Sequence, residues 1–413
     1  MDGVVYVGID LGKRFHQVAV VDEKQREVLP SFRIGRGQAA LAELLSALTA
    51  QGATVAETVF TIEATTEWWN ALAWPLCEQG YRVYLVPPTK AHALRRFYVQ
   101  HTKTDITDSA ALARLPLVDP DLKPLWRPSP ACRSLLRLCR LRWKGRCRIA
   151  DLKRRISHLA ETVQPGIDTV LPVRYSQSGR LYLRRYLAPE RAKRLGKKRL
   201  GDLMRKASWG KLGAERLDAL WACVQDAPAL GLQAEELQLE INVQLDELEA
   251  VEAQVQRLDA RIAELYGQVD PQQRLLQVAG LGEFLAAALT AHVGDVARFP
   301  SAKALIAYAG LAPRVKASAG HTSPGQPISK KGSPYLRAWV FLGASCCRQF
   351  DPELRAYHQR LRKRGKHYLL ATCATAARLL ERVYDLLQEG VSEDSESLGQ
   401  RGNRDNVPTR RTA

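Results

Sequence analysis

The sequence predicts an α/β domain at the N-terminus, a helical middle region and a mostly α-helical domain at the C-terminus. Short Val-rich runs separated by turn residues open the chain, and such runs are typical of strands. From about residue 131, Leu and Ile recur instead at helical spacing. A chain of 413 residues is long enough for two or three domains with their own cores. We therefore divide it into 1–128, 129–270 and 271–388, and expect a disordered tail over 389–413, which has almost no large apolar residue.

Three strands open the chain, and helices and strands alternate after them. The predicted strands are 4–10, 16–22, 27–34, 58–63 and 81–86. Pro30 restricts the third strand to a sheet edge or a bulge, because proline cannot donate a ladder hydrogen bond. Leucines at helical spacing predict a helix over 38–50. Three strands followed by this alternation indicate a mixed sheet with the order of the RNase H fold.

Four carboxylates fall where an open sheet of this kind binds ligands. Asp10 ends the first strand and Glu63 ends the fourth, so both face the mouth of the sheet. Asp105 and Asp108 lie three residues apart in an amphipathic stretch, on one helical face. Acids from separate elements repel unless a cation lies between them, and two Mg²⁺ or Mn²⁺ ions about 3.5–4 Å apart serve this purpose in phosphodiester chemistry. Each acid alone is equally compatible with a turn or a helix cap.

The charge of the chain indicates a polyphosphate partner. Lys and Arg number 61 against 43 Asp and Glu, a net charge of +18. Twenty-two of these cations lie in segments 133–155 and 174–206, where we expect a phosphate backbone to bind. No apolar run approaches the ~20 residues of a membrane span, and the N-terminus lacks the basic region of a signal peptide. We therefore expect a cytoplasmic protein without a membrane partner.

A hydrophobic repeat runs through the middle region. Its steps of three and four residues are close to a heptad seam, formed by Ile241, Leu245, Leu248, Val251, Val255, Leu258, Ile262 and Leu265. Two interpretations are open. The seam belongs either to one long helix packed within its own domain, or to a coiled coil between protomers of a homodimer or tetramer.

Two stretches of the C-terminal domain predict phosphate contacts. Residues 275–295 fit a helix-hairpin-helix, in which Gly280 and Gly282 let backbone amides approach a phosphate; an ordinary helical hairpin is the alternative. Residues 308–339 form a basic loop rich in Gly, Pro and Ser, and its expected phosphate ligands are Arg314, Lys316, Lys330, Lys331 and Arg337. Ser318 lies among small neighbours that would leave its hydroxyl accessible, although a serine in such a loop is more often a turn residue.

Together these motifs resemble the DEDD transposases of the insertion sequence 110 family, which includes the related 1111 group and the pilin-gene invertases. The RuvC-like half is matched by GIDLGK with Asp10, IEAT with Glu63, and KTDITDSAALA with Asp105 and Asp108. The C-terminal transposase domain is matched by GLGEFLAAALTAHVGDVARFPSAKALIAYAGLAP, then SAG and ISKKGSPYLR. The resemblance covers nearly everything from residue 4 to about 385.

The resemblance implies Mg²⁺-dependent cleavage and rejoining of donor and target DNA, with the four acids as metal ligands and a serine as nucleophile. Ser318 falls on the position of that serine; Ala319 departs from the family pattern and leaves Ser323 as a second candidate. The resemblance also implies a structured noncoding guide RNA, which selects donor and target by base pairing. It further implies a bacterial or archaeal host, with the protein at the nucleoid.

Two alternative functions share parts of this pattern. An actin-like or sugar-kinase ATPase has the same fold and a similar GIDLG loop. It also needs a second, Gly-rich phosphate loop, and this chain has no Gly-Gly dipeptide. The other alternative is a non-catalytic coiled-coil protein that binds DNA or RNA. Replacing Asp10 distinguishes it, because a pure binder would keep its activity.

Overall fold

The computed structural model describes residues 3–65, 67–98, 104–171, 175–228, 233–314, 317–318, 321–322 and 326–404. The chain forms two compact units, Met1–Arg127 and Pro128–Ala413. No helix within these described ranges combines the length and the apolar character needed to cross a membrane.

The first unit contains a five-stranded mixed sheet. Its strands are β1 (Val5–Leu11), β2 (His16–Val21), β3 (Glu27–Ile34), β4 (Thr58–Glu63) and β5 (Arg82–Val86). Their order in the sheet is β3-β2-β1-β4-β5. The first three strands pair antiparallel, whereas β4 pairs parallel with both β1 and β5. This order confirms the predicted RNase H-like sheet, and Pro30 lies on the edge strand β3 as expected.

Helices cover both faces of this sheet. They are α1 (Gln38–Ala50), α2 (Asn70–Glu78), α3 (Pro88–Tyr98) and α4 (Asp105–Val118), with a 3₁₀ turn at Glu67–Trp69. Side chains alternate along β1, so Val7 and Ile9 pack into the core shared with α1 and α2. The opposite face packs against α4, where Leu112 contacts Val86 in a smaller cluster. Residues of β1 on that second face therefore lie next to α4.

The second unit is helical, and two long helices, α5 (Pro130–Val163) and α11 (Gln233–Val269), organise its first part. Its first part contains α5 (Pro130–Val163), α6 (Ile167–Val170), α7 (Gln177–Arg185), α8 (Pro189–Leu195), α9 (Lys197–Ala207), α10 (Ala214–Asp226) and α11 (Gln233–Val269). Five residues of the predicted seam, from Ile241 to Val255, are buried in a core shared with Ile149 and Ile156 of α5. A Cβ added at Gly145 would lie only 2.7 Å from Val255, so the two helices approach closely. The repeat is thus satisfied within one chain, which favours the first of its two interpretations.

The rest of the second unit contains α12 (Glu283–Val293), α13 (Ala302–Tyr308), β6 (Ala317–Ser318), β7 (His321–Thr322), α14 (Pro334–Phe350), α15 (Pro352–Lys363) and α16 (Tyr368–Arg404). Two expectations were wrong here. The predicted helix before the Gly-Leu-Gly turn is only a 3₁₀ turn, Arg274–Gln277. The segment expected to be a disordered tail is instead helical as far as Arg404, because α16 continues into it and no proline interrupts the chain there.

Candidate active site and nucleic-acid surfaces

Asp10 and Glu63 lie side by side at one edge of the sheet. The parallel register of β1 and β4 pairs Ile9 with Ile62, so Asp10 and Glu63 occupy the next position along both strands. Residues paired in this way share a face of the sheet. Since Ile9 and Ile62 point into the core with α1 and α2, the two carboxylates are on the face that α4 covers.

Gly8 allows α4 to lie directly on β1. It precedes Asp10 by two residues and shares its face of the strand. A Cβ added here would overlap the carbonyl oxygen of Ser109 and the amide nitrogen of Ala113, both in the backbone of α4, and would come within 3.0 Å of the Cα of Ala113. Only a residue without a side chain permits this approach. It brings the first turn of α4 beside Asp10.

That first turn carries the other two acids. Thr104 is the N-cap of α4: its Oγ1 accepts a hydrogen bond from Thr107 N at 3.2 Å, and Thr107 Oγ1 accepts one from Thr104 N at 3.1 Å. Asp105 is therefore not the cap, and it follows as the first helical residue, with Asp108 one turn later. The partial positive charge of a helix N-terminus stabilises carboxylates at these positions.

Asp10 is electrostatically coupled to the three other acids. Burial, followed by the charges of Asp108, Asp105 and Glu63, raises the pKa of Asp10 to about 6 from an ordinary 3.8. We call these four residues the carboxylate cluster. Within the described parts of the chain, no three His, Cys, Asp or Glu side chains are close enough to enclose an ion as they stand. The fit to a divalent cation therefore rests on the hard oxygen donors and on the mutual repulsion that a cation would relieve.

The same row of the sheet carries two polar residues that the sequence did not reveal as site residues. Gln17 is the register partner of Asp10, and Arg33 is the register partner of Gln17. The buried Gln17 donates to Ser31 Oγ at 2.8 Å and accepts from Arg33 Nε at 3.4 Å. Arg33 also lies over the Phe15 ring at 4.1 Å. The guanidinium of Arg33 thus lies two strands from Asp10 on the same face of the sheet. Only the strand register shows this relation.

Ser318 lies in a small β-hairpin arm. Arg314 N donates to Pro327 O at 2.9 Å, and Ser329 N donates to Ala312 O at 2.8 Å, which joins the two sides of the arm at its base. Further out, Ser318 is the register partner of His321. Ser318 and His321 therefore lie opposite each other in this short pair of strands. Lys316 and Ser323 lie outside the described residues.

The structure gives other roles to two of the expected phosphate contacts. A Cβ added at Gly280 would lie 2.7 Å from Phe350, so this glycine, with a φ of 84°, is required for packing against α14. Arg337 Nη1 donates to Ala309 O and Lys330 O, both at 3.3 Å, and thereby holds the loop. The remaining candidates are open to a ligand: Gly282 at the N-cap of α12, and the exposed Arg314, Lys330 and Lys331.

The two basic segments are only partly available to a nucleic acid. Within the described residues, at least ten of their 22 cations form ion pairs: Arg142, Arg148, Lys153, Arg154, Arg155, Arg180, Arg184, Arg191, Lys197 and Arg205. Six of the ten pair with acids of α11, such as Arg142 with Asp259 at 2.8 Å and Arg180 with Glu252 at 2.6 Å. Phosphate binding by the two segments stays a prediction, and the paired cations are less available for it than the others. In the described part of 174–206, the cations without an ion pair are Arg185, Lys193, Arg194, Lys198, Arg199 and Lys206.

Two family models match the chain. Residues 7–165 match a model of DEDD transposases of the IS110 type, described as a transposase. Residues 272–359 match the model described as "Transposase IS116/IS110/IS902 family". Together the two matches span more than half of the chain, and the first contains the whole carboxylate cluster.

Similar proteins extend over nearly the whole length. The "Insertion element IS110 uncharacterized 43.6 kDa protein" of Streptomyces coelicolor is 26% identical, over 95% of this chain and 96% of its own. The "Insertion element IS900 uncharacterized 42 kDa protein" of Mycobacterium paratuberculosis is 27% identical, over 93% of this chain and 96% of its own. Among solved structures, T. thermophilus RuvC in complex with a Holliday junction substrate is 18% identical, covering 30% of this chain and 99% of its own, with a TM-score of 0.23.

Proposed function

Because the chain belongs to the IS110 family of transposases, we propose that it cleaves DNA strands and rejoins them at the carboxylate cluster. The observation that carries this proposal is the coupling of Asp10 to three acids from two other elements. Like charges held this close destabilise the folded protein, and enzymes that cleave or join phosphodiesters use such clusters to bind divalent metals. DNA, as donor and as target, is the substrate.

The cluster supplies the ligand type that Mg²⁺ or Mn²⁺ prefers. We assign all four carboxylates as metal ligands, and propose two ions. Bound there, the metal would stabilise the attacking and leaving oxygens of a phosphodiester. Asp10 is the central ligand, since the other three acids all act on its pKa. Asp105 and Asp108 are held by the capped first turn of α4, which limits their movement.

Metal binding is expected to depend on pH below about 6. The pKa of Asp10 is raised to about 6, so this carboxyl is largely protonated at about pH 5 and ionised at about pH 7.5. A metal must displace that proton, so affinity for Mn²⁺ should fall about tenfold per pH unit below about pH 6. Titration calorimetry of the full chain with Mn²⁺ measures this. Equal affinities at both pH values would contradict the assignment, and the Asp10→Asn variant should bind Mn²⁺ only weakly at either pH.

We further propose that Ser318 is the nucleophile. Its Oγ would attack the phosphorus and form a phosphoserine bond to one DNA end, while the bond between phosphorus and the leaving oxygen breaks and the other strand keeps a hydroxyl. The serine proton would be taken up as the bond forms and would end on the leaving oxygen. A serine hydroxyl is a weak nucleophile, so a base or a bound metal must activate it.

The Ser318→Ala variant should form no covalent complex with cleaved DNA. Without the hydroxyl no phosphoserine bond can form, so denaturing electrophoresis of reactions with labelled DNA should lack the protein-linked band. Binding of uncleaved DNA should not change, because the cations remain. A covalent band that persists in Ser318→Ala but disappears in Ser323→Ala would transfer the role to Ser323.

We also propose a structured noncoding RNA as the guide, and a homodimer or tetramer as the active form. The cations without ion pairs in α8 and α9 support a nucleic-acid partner on the second unit, since they lie exposed on the surface. The proposed place of action is the nucleoid, where donor and target DNA are found.

A further inference from the structure

Several large aromatic side chains of the second unit are exposed, and Trp209 is the most exposed of those that the structure describes. Trp209 is 84% exposed, the highest value among the large hydrophobic side chains that the structure describes. It follows α9 directly, in a short turn before α10. Burying a tryptophan side chain is among the largest single contributions to the free energy of folding, and Trp209 does not make that contribution.

The backbone at Trp209 is also unfavourable for a bulky residue. Its φ is 54°, in the left-handed region, and Gly210 follows with a φ of 75°. The position just after a helix commonly adopts this conformation, but glycine or asparagine normally occupies it. A tryptophan there is a genuine outlier. Strain of this kind persists at functional positions, where the side chain has a role outside the fold.

The turn holds Trp209 in a defined place. Trp209 N donates to Lys206 O at 3.1 Å, and Gly210 N donates to Arg205 O at 2.9 Å. The preceding Ser208 is buried, and its hydroxyl accepts a hydrogen bond from Leu212 N at 3.2 Å. Leu212 is itself buried in the core of the unit. Both neighbours of the exposed ring are thus anchored.

The surroundings of Trp209 are strongly basic. Residues 191–211 contain nine Lys and Arg and a single acid, Asp202. Within this segment, which the structure describes completely, six exposed cations form no ion pair: Lys193, Arg194, Lys198, Arg199, Lys206 and Lys211. Leu200 and Met204 anchor α9 in the core below them. The segment therefore presents a cationic surface with one aromatic ring at its end.

We propose that Trp209 stacks on an unpaired base of a single-stranded nucleic acid, whose phosphates bind the neighbouring cations. An aromatic platform beside backbone-binding cations is the common means of holding single strands, and it tolerates any base, because every base has a π-face. A paired base inside a duplex does not offer that face. The charge argues against a basic or neutral protein partner, which the six cations would repel or leave uncompensated.

The test compares Trp209→Gly with Trp209→Phe in the full chain. Probes are oligo(U), oligo(dT) and duplex DNA of equal length, titrated without divalent metal so that binding does not depend on the proposed chemistry. Trp209→Gly should weaken binding of a single-stranded probe about tenfold, the effect of losing one stacked base. Trp209→Phe should retain most of the affinity. Comparing oligo(U) with oligo(dT) distinguishes an RNA source from a DNA source.

Stability and fluorescence provide the readouts that a merely structural role would not give. Glycine suits a positive φ, so Trp209→Gly should unfold at the same temperature as the wild type or higher. Single-stranded probes should quench tryptophan emission of the wild type, and this quenching should be lost in Trp209→Phe. Lys206→Ala with Lys211→Ala should reduce the salt dependence of binding, which Trp209→Gly should leave intact.

Three outcomes would overturn the proposal. The first is wild-type affinity in Trp209→Gly. The second is a loss of binding equal to that of Leu369→Ala, an exposed apolar residue on α16 outside the basic segment. The third is a change in oligomeric state at unchanged probe affinity, which would identify Trp209 as a contact between protein chains. Because the titrations contain no divalent metal, a failure of the proposed cleavage chemistry would be seen separately, in the cleavage assay.

Discussion

The Asp10→Asn variant is expected to lose DNA strand cleavage while retaining nucleic-acid binding. Asparagine has the shape of aspartate but no charge, so the central ligand of the carboxylate cluster would be lost. A bound metal contributes several kcal/mol of charge stabilisation in phosphoryl transfer, which corresponds to a fall in cleavage rate of about a thousandfold or more. The cleavage rate is measured in single-turnover reactions with labelled donor DNA and saturating Mg²⁺.

The same variant should be more stable than the wild type when no metal is present. The folded protein holds the Asp10 proton more tightly than the unfolded chain does, since its pKa is raised from 3.8 to about 6. Ionisation therefore disfavours the fold: the penalty is absent below about pH 4 and complete above about pH 6. Allowing for partial solvent exposure, Asp10→Asn should raise the free energy of unfolding by about 1–2 kcal/mol at about pH 7.5.

Asp22→Asn is the matched control. Asp22 lies in the same unit but forms an exposed ion pair with Arg26 at 2.7 Å, outside the carboxylate cluster. It should keep wild-type cleavage. Added Mg²⁺ should stabilise the wild type and Asp22→Asn but not Asp10→Asn. Undiminished cleavage by Asp10→Asn would contradict the assignment of Asp10 as a metal ligand. If the wild-type protein binds DNA but never cleaves it, the non-catalytic alternative is favoured.

The Gly8→Ala variant should lose activity without losing any proposed ligand. The added methyl group would overlap the backbone of α4 at Ser109 and Ala113, and backbone atoms cannot move aside as a side chain can. Helix α4 must shift away from β1, carrying Asp105 and Asp108 with it. Overpacking of this kind costs about 1–3 kcal/mol or more, and a displacement of about 1 Å at a catalytic site costs about a hundredfold in rate.

Urea denaturation and cleavage assays measure both effects, and hydrogen exchange should report faster opening of α4 than of the sheet. Gly37→Ala is the control, because Gly37 precedes α1 with an ordinary φ of −98° and an added Cβ there meets nothing within 4 Å. It should change stability by less than about 0.5 kcal/mol. Equal behaviour of the two alanine variants would show that α4 does not need its close seat on β1.

The sequence predicted the strands, and the positions of the four acids on their elements, because both depend on local patterns. Alternating or continuous Val and Ile define a strand without reference to distant residues, and strand ends place Asp10 and Glu63 at one sheet edge. The Asp105 and Asp108 spacing is likewise a local helical property. Motif order then identified the family, because long ordered matches at both ends of the chain are specific.

Other features required partners that are distant in the chain. Arg142 and Asp259 are 117 residues apart, so the sequence alone could not distinguish a paired cation from a phosphate ligand. The importance of Gly8 depends on the backbone of α4, about a hundred residues later. Gln17 and Arg33 joined the site only through strand register.

The sequence by itself determined the fold class, the family and which acids are candidates, since composition, periodicity and motif order are properties of short segments. Tertiary structure alone decided how close α4 lies to β1, which cations remain without ion pairs, and that Trp209 projects from a strained turn. These depend on long-range packing and on backbone angles. The sequence shows a glycine at position 8 and a tryptophan at position 209. That Gly8 is needed for the contact with α4, and that Trp209 is exposed, is seen only in the folded structure.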